Sequence, residues 1–209
     1  MIQTVSRFAL TALLCLAPLA AADYKTEPAG APPDEVPAAL KQVIAEDGVR
    51  VIGPDGVAGE FWMRTTDFEG EESSELGIRN DWIPLGSFLG VVRFPEGSHD
   101  FRDQSIAPGV YSMRFYLQPV DGAHYEQVRD FTLLAPLGSE VDPATNVDYA
   151  QAIKMSYAVG NAHPTVLHMA WSEGDEAPNV WENDHGHTIL DLMVGGEPTG
   201  FTIKGIADH

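Results

Sequence analysis

In Val110-Tyr111-Ser112-Met113-Arg114-Phe115-Tyr116-Leu117 the odd-numbered residues are all apolar, and Ser112 and Arg114 stand between them. Successive side chains of an extended segment point to opposite faces, so a period of two sends one set inward and the other outward. In Phe88-Leu89-Gly90-Val91-Val92-Arg93-Phe94 both alternating sets are largely apolar, the pattern of a central strand covered on both faces. Between them runs a polar connection, Pro95 to Pro108, ending at the Pro108-Gly109 corner. It is too long for a tight hairpin, so the two strands belong to different sheets or the loop carries a site.

The rest of the chain repeats this β signal. Val49–Ile52 and Gly59–Arg64 flank Pro54-Asp55-Gly56 and predict a hairpin. Further strands are predicted over Val128–Leu134, Thr165–Trp171, Val180–Asn183, His187–Val194 and Thr199–Ile206. Two short helices interrupt them. One covers Pro37–Glu46, with Val36, Leu40, Val43 and Ile44 on one face, and the other covers Val147–Val159 and stops at Gly160. Asp142 or Asn146 is the candidate cap of the second. Phe68–Asn80, with Glu69, Glu71, Glu72 and Glu75, reads as an exposed acidic loop. The expected fold is mainly β: a two-sheet β-sandwich with about two short accessory helices, forming one domain over residues 36–209.

Residues 1–22 carry Arg7, an apolar run from Phe8 to Leu19, and the small Ala20 and Ala22, which is the pattern of a secretory signal peptide. The run falls short of the roughly 20 residues a spanning helix needs, and no later segment approaches that length. Cys15 could accept a lipid, but Leu14 is larger than the residue a lipoprotein signal carries there. Residues 23–35, rich in Pro, Ala, Gly and charge, are expected to be a flexible leader. Cys15 is the only cysteine and leaves with the signal, so the expected mature chain has no disulfide, thiol nucleophile or Cys-ligated metal. The compartment expected is the periplasm or the cell exterior.

Without Arg7 the chain keeps 11 basic residues against 31 acidic ones, a formal charge of −20. Phosphate backbones and anionic lipids bind through clustered Lys and Arg, so nucleic acid is excluded as a partner. The acidity describes a solvated surface or, more sharply, a face for cations or a cationic partner.

The strongest chemical constellation is Trp181-Glu182-Asn183-Asp184-His185-Gly186-His187. On an extended segment His185 and His187 project to one side, as strand positions that share a metal do. Zinc or copper takes neutral imidazole, and Glu182 or Asp184 could add an oxygen. A complete site needs further ligands, for which His163, His168 and His209 are candidates. The plain alternative is a polar turn around Gly186. A blue-copper site needs a cysteine, and a copper site on the mature amino terminus needs His where cleavage leaves Asp23.

Weaker patterns follow. His99-Asp100, with His124, resembles half of a general-base pair. Ser98 and Ser105 are near in sequence, but no Gly-x-Ser-x-Gly elbow is present. Asp142 to Asp148 offers oxygens yet lacks the Gly and terminal Glu of the helix-loop-helix calcium motif. Trp62 and Trp171 read as core, leaving Trp82 and Trp181 as candidate flat platforms for a glycan. A half-buried Trp is the plainer reading of both.

The run Ile106-Ala107-Pro108-Gly109-Val110-Tyr111-Ser112-Met113-Arg114-Phe115, with Gln118-Pro119, Asp121-Gly122, His124, Arg129-Asp130-Phe131 and Asn161-Ala162-His163-Pro164, resembles an uncharacterised family of secreted bacterial β-sandwich proteins. The resemblance spans Pro37 to Ile206 and implies a fold and a compartment, with no activity attached. The expected function is a non-catalytic binding module for an envelope protein or a glycan. The alternative is a periplasmic zinc or copper binder at His185 and His187 with His163 or His168, and a hydrolase working near His99 is a lesser one.

Overall fold

The computed structural model describes residues 24–72, 77–118, 129–140, 142–172 and 176–205. The expected signal peptide, His124 and His209 lie outside these residues. In chain order the elements are β1 (Lys25–Gly30), α1 (Ala38–Lys41), β2 (Gly48–Gly53), β3 (Gly56–Met63), β4 (Phe88–Phe94), β5 (Ser98–His99) and β6 (Ser105–Ile106). Then follow β7 (Gly109–Leu117), β8 (Asp130–Pro136), α2 (Tyr149–Tyr157), β9 (Val166–Ala170), β10 (Asn179–Glu182), β11 (Thr188–Val194) and β12 (Glu197–Lys204).

The described residues are mainly β, with two short helices. Ten strands form one antiparallel sheet in the order β1-β2-β3-β4-β7-β8-β9-β12-β11-β10, and β5-β6 is a separate small ladder. The hydrogen bonding is continuous where a sandwich would divide it. β9 makes the join, pairing Val166 to His168 with β8, and Met169 and Ala170 with β12. The outermost strands β1 and β10 come into contact, so the sheet curls nearly into a barrel around one apolar interior.

That interior explains the alternation in β7. Tyr111, Met113, Phe115 and Leu117 point into it, together with Leu89, Leu134, Met169, Leu190 and Phe201 from strands around the curl. The outward set of β7 is covered too. Tyr116 packs with Phe131, Leu133 and Val166 beneath Ala152 and Met155 of α2. In β4, Leu89, Val92 and Phe94 face inward while Phe88 and Val91 face outward under Val36, Leu40 and Ile44. The inward set changes from odd to even because the pairing with β7 shifts between Phe88 and Gly90, a β-bulge. Gly90 has φ 156°, and a Cβ there would sit 2.6 Å from the Trp62 carbonyl oxygen.

Three expectations change. Lys25–Gly30, inside the expected leader, is strand β1 paired with β2, and Gly30 accepts a hydrogen bond of 2.8 Å from the Trp62 indole. Backbone pairing supplied by a neighbour organises a stretch that has no apolar period of its own. The first helix is one turn, because Ile44 leaves it to bridge Arg64. The cap of α2 is Asp148, which accepts from the Gln151 amide at 3.0 Å. Asp142 instead accepts from Ala144 N, and Asn146 accepts from the Ser87 hydroxyl.

Candidate functional site

The topology gathers one end of the barrel from the β2–β3 turn, the excursion between β4 and β7, the β10–β11 turn and Gly205 after β12. Four of the sequence's candidate residues, His99, His163, His185 and His187, lie in or beside these connections, and His168 sits on β9 close by.

The excursion holds itself in shape. Asp100 is 2% exposed and its carboxylate accepts from Arg102 N and Gln104 N at 2.9 Å and from the Gln104 amide at 2.6 Å. Asp103 adopts φ 60°, a left-handed conformation that Asp tolerates better than most residues. The Gln104 side-chain oxygen accepts from His163 N at 3.0 Å and ties the loop to the segment before β9. Phe101 is thereby laid against two imidazoles. It stacks on His168 at 4.8 Å and 16°, and meets His187 edge-on at 5.3 Å and 85°.

The β10–β11 turn is equally well defined. Asn183 Oδ1 accepts from His185 N at 3.0 Å and His187 N at 2.9 Å, while Gly186 takes φ 73°. The two imidazoles on either side of Gly186 have ring centroids 5.9 Å apart. Among the described residues, no group of three or more His, Cys, Asp or Glu is placed to hold a metal ion. Phe101 stands between His168 and His187, His185 neighbours His187, and His163 is tied to the same loop through its backbone.

Beside this cluster opens a groove of about 470 Å³, lined among others by Tyr24, Asp55, Glu96, His99, Asp103 and Lys204. Asp100 lines it as well, so four carboxyl side chains and the Lys204 ammonium share one lining. Tyr24 lies over Gly53, where a Cβ would come within 2.6 Å of its ring, and the Lys204 ammonium is 6.0 Å from the ring centroid. Burial, and then the charge of Asp55, push the Tyr24 hydroxyl above its ordinary pKa.

His99 Nε2 lies 3.3 Å from the Ser105 hydroxyl, its cross-strand neighbour in the β5–β6 ladder. The adjacent Asp100 carboxylate is committed to its own loop, so the acid that would orient such a base is supplied elsewhere or not at all.

Of the four tryptophans, Trp171 departs from expectation. Trp82 is half-buried against Phe68, 5.5 Å between centroids, at the edge of the interior. Trp181 is also half-buried, and its indole donates to the fully buried Asp191 at 2.9 Å. Trp62 is core, 1% exposed, but Trp171 is 58% exposed with the Arg79 guanidinium 4.7 Å above it. Its odd position matches the inward Leu167 and Met169, yet β9 ends at Ala170 and the alternation ends with it. Set against family models, curated proteins and solved structures, the chain matches none of them.

Proposed function

We propose that this chain is an exported, acidic binding module that acts without catalysis, and that its ligand seat is the groove between the β2–β3 turn and the β4–β7 excursion. The observation that carries the reading is the lining: Asp55, Glu96, Asp100 and Asp103 beside Tyr24, against Lys204 as the lysine or arginine among the described lining residues. A chain of formal charge −19 adds a long-range field of the same sign, which draws cations and repels anions. The ligand favoured is positively charged, a small polyamine or a basic segment of an envelope protein, ahead of a neutral glycan. Against cations the Tyr24 face offers a further attraction of about 0.5–1 kcal/mol at an exposed site.

Titration calorimetry with spermidine, at low and at physiological salt, tests it. Binding that weakens with salt and falls at least tenfold in an Asp55→Asn, Glu96→Gln double variant is the expected result. Heat that is absent, or indifferent to both changes, removes the groove as the seat.

A second reading, a zinc or copper binder, is favoured by the 5.9 Å spacing of the His185 and His187 rings across Gly186. Two imidazoles make a half-site, so this reading needs a third donor. Metal analysis of untagged protein after dialysis, with and without His185→Ala and His187→Ala, tests it: stoichiometric zinc or copper lost in the variant supports the site.

A further inference from the structure

The two sides of the groove differ in charge. On the side of the β2–β3 turn, Tyr24 lies over Gly53, the charge of Asp55 reaches its hydroxyl, and the Lys204 ammonium stands 6.0 Å from its ring centroid. The β4–β7 excursion supplies Glu96, Asp100 and Asp103, and no lysine or arginine among the described lining residues. Ala58 and Ile203, which pack against the core, add an apolar part to the lining. One side thus offers a cation and an anion beside an aromatic ring, and the other offers anions.

We infer that the ligand of the groove is a free basic amino acid of the lysine type, with its α-carboxylate on Lys204, its α-ammonium on Asp55 and its side-chain cation on Glu96 and Asp103. The inference rests on the cation-binding reading of the groove given above and names the class of ligand. A groove of about 470 Å³ falls within the size of small-molecule sites, about 300–1,000 Å³.

The physical basis is which charges the fold has already used. Asp100 spends its carboxylate on Arg102 N, Gln104 N and the Gln104 amide. Asp55, Glu96, Asp103 and Lys204 form no ion pair among the described residues. A polyamine would match the carboxylates but set like charges together at Lys204, which is unfavourable. An amino acid carries a carboxylate and an ammonium on one carbon, the same pair of signs that Asp55 and Lys204 present beside Tyr24. The methylenes of a basic side chain can then cover Ala58 and Ile203 while the charged end stays in water, as long charged side chains do. An aliphatic amino acid would leave Glu96 and Asp103 unmatched, and that difference is the specificity.

The test is titration calorimetry at low salt with L-lysine, L-lysinamide, L-norleucine and spermidine. It compares the native chain with Lys204→Gln and with a Glu96→Gln, Asp103→Asn double variant, each checked for folding by circular dichroism. Lysinamide lacks the carboxylate of lysine and carries more positive charge, so the field of an acidic chain by itself ranks the amide first. The expected result in the native protein is the reverse order: lysine tighter than lysinamide by about fivefold, the upper end of what one exposed ion pair gives, and tighter than norleucine. In Lys204→Gln the order should invert, and spermidine should bind more tightly than it does to the native chain. In the double variant lysine should lose its advantage over norleucine. Lysinamide or norleucine that binds the native chain as tightly as lysine overturns the inference, as does a preference for lysine over its amide that survives Lys204→Gln. In those cases spermidine binding leaves the cation groove standing. Heat from none of the four ligands removes the groove reading and this inference together.

Discussion

The guanidinium of Arg114 and the carboxylate of Glu140 form an ion pair of 2.6 Å in which both side chains are almost fully buried, 3% and 2% exposed. Arg114 also donates to the carbonyls of Gly86 and Thr145 at 2.6 and 2.8 Å. One outward residue of β7 thus fastens the segment that leads into α2. Removing one member of such a pair leaves an uncompensated buried charge, at a cost of about 3–5 kcal/mol. Arg114→Met should lose that much in urea unfolding, and a loss under about 1 kcal/mol would mean that water takes the guanidinium's place.

Gly90 permits the bulge in β4. Any side chain there meets the Trp62 carbonyl at 2.6 Å while the backbone keeps φ 156°. Gly90→Ala should destabilise by about 1–3 kcal/mol, the scale of strain at a sparsely populated backbone conformation. The midpoint of thermal unfolding checks it, and an unchanged midpoint would show that β4 can re-register.

Glu60 joins β2, β3 and β4 on the outer face, accepting from Arg50 at 2.7 Å and from Arg93. Burial raises its carboxyl pKa, but the hydrogen bonds from Arg93 and Arg50 outweigh that and hold it below the ordinary value. Its contribution is therefore complete above the unfolded pKa, about 4.3, and is lost as pH falls through the lower folded value. Glu60→Gln should be less stable than the native chain at pH 7, with the difference shrinking as the pH is taken down to 3. Urea midpoints across that range decide it.

Asp148 caps α2 through Gln151 N. Asp148→Ala should cost about 1 kcal/mol, and Asp148→Ser less, because a hydroxyl still accepts the same amide. Equal losses in chemical denaturation would contradict the capping role.

Trp171 should dominate the quenchable fluorescence, since it is the tryptophan among the large exposed side chains. Trp171→Phe should remove most of the emission reached by acrylamide and, since the Arg79 stack is on an exposed ring, change stability by less than about 1 kcal/mol. Unaltered quenching would place Trp171 under cover.

Strand periodicity determined by itself that β7 would present Tyr111, Met113, Phe115 and Leu117 to a core, because a period of two is a property of the extended backbone and needs no partner. The β2–β3 hairpin and the existence of α2 were legible on similarly local grounds. Which strand lies beside which was not, because hydrogen bonds across a sheet join residues remote in sequence. β9 could be read as a strand, but only its pairing with β8 at one end and β12 at the other made the sheet continuous. The histidines followed the same division. His185 and His187 announced themselves by spacing, whereas Phe101 joined His168 to His187 only when the chain folded, since ring contacts depend on the path of the β4–β7 loop through space.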